Sequence, residues 1–95
     1  MTREEHLLVI LIEECAEVSK EVSKALRFGM KDHAPGETMK NDEKISIEIG
    51  DLVAAMEMLY EAGVIREPKS GDIEKKKVKV EKYLNYSKSV GKLAL

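Results

Sequence analysis

Tryptophan is absent from this chain, and aromatic residues make up only 4% of it: Phe28, Tyr60, Tyr83 and Tyr86. A core with so few rings has to be filled by Leu, Ile, Val, Met and Ala, which suits helices packed on helices. Cysteine is equally scarce. The single Cys15 excludes an internal disulfide framework and fits a reducing cytoplasm. Set among apolar helical positions, it reads as a small core residue rather than a nucleophile. No apolar run approaches the roughly 20 residues that span a bilayer, so no membrane association is expected and the chain reads as soluble and cytoplasmic. Asn85-Tyr86-Ser87 fits a glycosylation sequon, which carries no weight without a secretory signal.

The 95 residues read as one domain, 1–95, near the small end of what folds unaided. Apolar residues are 43% of the chain, enough for a core that copies of the chain complete together. Net charge is only −2, but its sign is divided. Residues 1–68 hold 8 Lys/Arg against 15 Asp/Glu, and residues 69–95 hold 8 Lys against 3 acids. Solvated helix faces account for much of this. The sharper reading sets an acidic metal site beside a basic helix that meets phosphates. Net acidity disfavours a nucleic-acid polymer as partner.

Hydrophobic spacing marks three helices and no strand. Leu7, Leu11, Cys15, Val18, Val22 and Ala25/Leu26 recur at intervals of three and four, predicting a helix from about Arg3 to Arg27. Thr2 is placed to cap it and Gly29 to stop it. A charged loop from about Phe28 to Asn41 holds Pro35-Gly36. A second helix is expected from about Asp42 to Ala62, with Ile45, Ile49, Leu52, Met56 and Leu59 on one face, Asn41 or Asp42 as cap and Gly63 as stop. A third should start near Ser70–Asp72 and run to about Ser89, with a weaker stripe of Ile73, Val80 and Leu84. The expected fold class is all-α, an up-down antiparallel helical bundle completed by oligomerisation.

Four acids fall where apolar residues belong. At roughly 100° per residue, Glu14 lies within about 60° of Leu7, Leu11, Val18 and Ala25, and Glu17 sits at the margin of that arc. On the second helix, Glu48 lies within about 60° of Ile45, Leu52, Ala55 and Leu59, with Asp51 beside it. Burying an unpaired carboxylate is costly, so such acids need a cation or a salt bridge. One reading has Glu14 and Glu48 pairing with Lys at an interface rim. The other has Glu14, Glu17, Glu48 and Asp51 converging on a hard divalent ion, Mg²⁺ or Mn²⁺, for which an all-oxygen set is suited. His6 and His33 lie away from these positions, which argues against zinc and against Glu-x-x-His di-iron sites.

The two motifs, Glu14-Cys15-Ala16-Glu17 and Glu48-Ile49-Gly50-Asp51, together with the doubled Glu13-Glu14 and the apolar helix entered at Gly50-Asp51-Leu52, resemble the MazG-like all-α nucleoside triphosphate pyrophosphohydrolase family. The resemblance covers roughly residues 5 to 65 and reaches the third helix loosely. It implies a helical homo-dimer or homo-tetramer with Mg²⁺ on those four acids, which would also be the catalytic residues. The activity implied is cleavage of a (d)NTP between its α- and β-phosphates to a (d)NMP and pyrophosphate, a nucleotide-pool or house-cleaning role. It also points to Lys44, one turn before Glu48, and to Lys79, Lys82 and Tyr86 on the third helix as substrate-binding groups. For each Lys a solvated helix face is the competing reading, and Lys20, Lys24 and Arg27 read as surface residues. The Arg or Asn that often accompanies the family's Lys-aromatic pair has no clear match beside Lys82-Tyr83. Two alternatives stay open: a phosphoribosyl-ATP pyrophosphohydrolase, which the longer loop and Lys-rich third helix fit less well, and a non-catalytic helical oligomer that binds metal or a partner protein.

Overall fold

The computed structural model describes residues 1–94, in three helices: α1 (Arg3–Phe28), α2 (Asn41–Glu61) and α3 (Ser70–Ser89). No strand occurs among the described residues. The all-α expectation and the helix ranges hold to within one or two residues.

Local chemistry sets the ends of α1. The Glu5 N–H donates to Thr2 Oγ1 and the Thr2 N–H to Glu5 Oε1, each at 3.1 Å, which satisfies two donors that the first turn would otherwise leave free. Glu4 and Glu5 face the positive end of the helix and Arg27 the negative end. Gly29 then turns the chain at φ 101°, where its N–H still reaches the Ala25 carbonyl.

The start of α2 differs from expectation. Lys40 occupies the cap position and contributes no side-chain hydrogen bond, while Asn41 is already the first helical residue. Asn41 serves a tertiary role instead. Fully buried, it donates from Nδ2 to the Gly29 carbonyl at 2.8 Å, and its backbone N–H donates to the Asp32 carbonyl at 2.8 Å. One side chain thus pins the beginning of α2 to the end of α1. With Gly29 beside Asn41, Glu21 beside Lys44 and Glu14 beside Glu48, the two helices run antiparallel as a hairpin.

The expected three-helix up-down arrangement is not formed. α1 packs on α2, but α3 packs on neither, and none of its residues is buried. The chain is correspondingly spread out: its radius of gyration is 16.9 Å, against about 12 Å for a compact domain of this length. Among the described residues the buried apolar ones are few: Leu7, Ala25, Ala34, Ala55 and Leu59.

With one packing partner each, α1 and α2 bury only a narrow stripe, and α3, with none, buries nothing; this corrects several expectations. Cys15 is exposed, not part of the core. Val22 and Ile49 are exposed as well, as are Ile73, Val80 and Leu84 along the whole α3 stripe. Lys24, read as a surface residue, is instead largely covered, because it joins a four-residue ion network that crosses the hairpin. Its ammonium donates to Glu37 Oε1 at 2.8 Å, and Lys44 donates to Glu37 Oε2 at 2.6 Å. Glu21, buried in α1, lies 3.8 Å from the Lys24 ammonium and 3.5 Å from that of Lys44.

The hydrogen bonds from Lys24 and Lys44 hold the Glu37 carboxyl at about 2, well below its ordinary value of 4.5. A carboxyl whose folded value is depressed stabilises the fold above its unfolded value and loses that contribution as pH falls through the folded one. Denaturant midpoints of wild type and Glu37→Gln should therefore differ most near pH 6 and converge between about pH 4.5 and 2. A difference independent of pH would show that the carboxylate charge is not what holds the loop.

Candidate metal centre

The antiparallel hairpin brings the middle of α1 against the middle of α2. One carboxylate oxygen from each of Glu14, Glu48 and Asp51 lies within 4.8 Å of the other two. Glu14 and Glu48 are half-buried and Asp51 is exposed, so the cluster opens to solvent on the Asp51 side. The Glu14 Oε2 atom is buried with no hydrogen-bond partner. Three carboxylates from two helices, with one Glu14 oxygen left unsatisfied, form a set that a hard divalent cation fits.

Electrostatics point the same way. The Glu48 carboxyl is pushed above the usual carboxylate range, first by burial and then by the charges of Asp51, Glu17, Glu14 and Glu21. Among the described residues no Lys or Arg forms an ion pair with Glu14, Glu17, Glu48 or Asp51; the nearby cations Lys24 and Lys44 are engaged by Glu21 and Glu37. The salt-bridge reading of these acids therefore finds no partner in the hairpin. His33 turns its Nδ1 toward the Ala34 carbonyl, in the loop and off the cluster.

The remaining sequence candidates are distributed differently. Glu17 is half-buried one turn along α1, near enough to act on Glu48 but outside the group of three. Lys44, on the face where a phosphate contact was expected, is committed to Glu37, and that hydrogen bond holds its ammonium above the ordinary value. Lys79, Lys82 and Tyr86 are exposed on α3, which does not touch the hairpin, so a single chain does not bring them to the acids.

Sequence reasoning missed the ion network. Glu21 lies about 20° from Glu14 at 100° per residue, so the same wheel that singled out Glu14 also placed Glu21 in the apolar arc. Its spacing to Lys24 was a second available signal. Glu37 carried none, because its place depends on the path of the loop. No protein-family model matches the chain, nor does any curated protein or solved structure.

Proposed function

We propose that this chain is a divalent-metal-dependent nucleoside triphosphate pyrophosphohydrolase, with Mg²⁺, or Mn²⁺ in its place, held by Glu14, Glu48 and Asp51. The observation that carries the reading is the convergence of these three carboxylates from two helices without a cationic partner. The resemblance of the two acidic motifs to the MazG-like family supplies the reaction class.

The bound ion would polarise the triphosphate and make an attacking water more acidic. Glu14 and Glu48, half-buried, hold their carboxylates in a partly desolvated wall, whereas Asp51 faces the open side from which a phosphate chain would enter. Glu17 stands beside the group without belonging to it, and we assign it the role of taking the water's proton. Water adds to phosphorus, the bridge between the α- and β-phosphates breaks, and the products are a nucleoside monophosphate and pyrophosphate.

A second reading draws on one observation: the α3 cations stand away from the acids within a single chain, as they would in a non-catalytic metal-binding protein. Pyrophosphate release with Mg²⁺ across ribo- and deoxyribonucleoside triphosphates, with phosphoribosyl-ATP included, separates the readings. Release from one or more nucleotides, abolished by chelation, is expected. Tight metal binding with no release from any of them would favour the non-catalytic protein.

A further inference from the structure

We propose that Lys24 and Lys44 form a seat for a phosphate group, and that the Glu37 carboxylate occupies it as a built-in competitor. Lys24 comes from α1, Lys44 from α2 and Glu37 from the loop between them. The two ammoniums take one carboxylate oxygen each, at 2.8 and 2.6 Å. An ammonium has three N–H donors, and among the described residues each of these gives one hydrogen bond, to Glu37. Behind them Glu21 is buried, 3.8 Å from the Lys24 ammonium and 3.5 Å from that of Lys44. Its Oε2 accepts no hydrogen bond among the described residues. Donors therefore remain that a two-oxygen carboxylate does not fill. A phosphate group brings three acceptor oxygens to the same place, and charge-assisted bonds to it are the strong kind.

Charge and position favour the exchange. Glu21 and Glu37 balance Lys24 and Lys44, so withdrawing Glu37 leaves the cluster at +1, open to a further anionic oxygen. Glu37 is the member able to leave. Its side chain is 30% exposed, the highest of the four. The turn that carries it stays behind, because Ala34 is buried and accepts from the Glu37 N–H at 3.0 Å. Rotation of one side chain thus vacates the seat without moving the loop. The seat also lies next along the seam from the acid cluster. Lys44 precedes Glu48 by one turn and Glu21 follows Glu17 by one, a rise of about 6 Å. A polyphosphate whose inner phosphates meet the metal would run its tail this way. That placement rests on the proposed function, whereas the seat itself does not.

Calorimetry with pyrophosphate in chelator tests the seat, since binding there needs neither metal nor bond cleavage. A site open in only a minor fraction of molecules binds more weakly by that fraction, and minor states are populated at about 0.1–10%. Glu37→Ala should therefore bind pyrophosphate about tenfold tighter than wild type, or more. Adding Lys24→Gln to that variant should abolish the gain, whereas Lys20→Gln, which removes an exposed cation of the same helix, should not. Circular dichroism checks that each protein is folded. Glu37→Gln, which keeps the length of the side chain, takes the place of Glu37→Ala if that variant is not. A nucleoside triphosphate in the same chelator separates two sources of the phosphate. A gain for both compounds assigns the seat to the substrate's tail, and a gain for pyrophosphate alone assigns it to the released product. No gain for pyrophosphate, or a gain that survives Lys24→Gln, would overturn the seat. That failure would leave the magnesium-dependent hydrolysis assay untouched, and a protein without hydrolytic activity would leave the seat standing.

Discussion

Saturating Mg²⁺ should raise the melting temperature of the wild-type protein by roughly 10 °C or more, and Glu48→Gln should remove most of that shift together with the hydrolytic activity. An ion at about a hundred times its dissociation constant adds about 2.7 kcal/mol by mass action. In a domain this small each kcal/mol moves the midpoint by about 4–8 °C. The variant tells more through its metal-free form. Glu48 is held above its ordinary value by burial and neighbouring acids. A raised carboxyl stabilises the fold below its unfolded value and loses that contribution as pH rises through the folded one. Near neutral pH, in chelator, the charged wild-type cluster is strained, and Glu48→Gln should melt at the same temperature or higher. Activity should fall roughly 100-fold or more, the usual scale for losing an essential acid–base or metal-positioning group. A structural ion pair predicts the reverse, with a less stable variant and no response to Mg²⁺. Thermal melts of both proteins with Mg²⁺ and with chelator, beside a pyrophosphate assay, decide it.

Leu59→Ala should unfold the hairpin or bring it close to unfolding. Among the described residues Leu59, at 0% exposed, is the most completely buried apolar one, in a core with four other buried apolar members. Large-to-small changes at such positions cost about 2–5 kcal/mol, through lost transfer energy and the cavity left behind. Small domains hold only about 5 kcal/mol or somewhat more in total, so little margin remains. Val78→Ala is the control. Val78 is 70% exposed on α3, which has no packing partner, and its truncation should change stability by less than about 0.5 kcal/mol. Urea midpoints followed by circular dichroism compare the two. Equal midpoints would mean that Leu59 is not part of the cooperative core.

Much of this was legible from the residues. Thr2 as cap, Gly29 as stop and the intervals of three and four placed α1 nearly to its ends, while the reciprocal bond from Glu5 came only with the structure. The wheel placed Glu14 and Glu48 on inward arcs, and the hairpin brings both to the α1–α2 seam together with Asp51. What the wheel could not supply is the number of partners a face has. It marked Cys15, Val22 and Ile49 as inward because they border apolar arcs, yet one neighbouring helix covers only the middle of such an arc. The same limit explains α3, whose stripe is real as a pattern and uncovered in the chain. Asn41 and Glu37 were illegible for another reason. Their partners lie across a twelve-residue loop or on the far helix, and no local spacing encodes them.

The pin made by Asn41 also bears on the order in which the chain acquires structure. Joining α1 to α2 requires closing only the short loop between Gly29 and Asn41, and loops of about ten residues close in roughly 10–100 ns. Most contacts of the hairpin follow from that one closure, the low-contact-order route that gives fast folding. α3 gains nothing from it, since no contact ties it to the hairpin. As a lone helix of 20 residues it has only its own turns to sustain it, with helix–coil relaxation in about 0.1–1 μs. The chain therefore orders on two clocks, one set by a nearby knot and the other by whatever surface α3 meets.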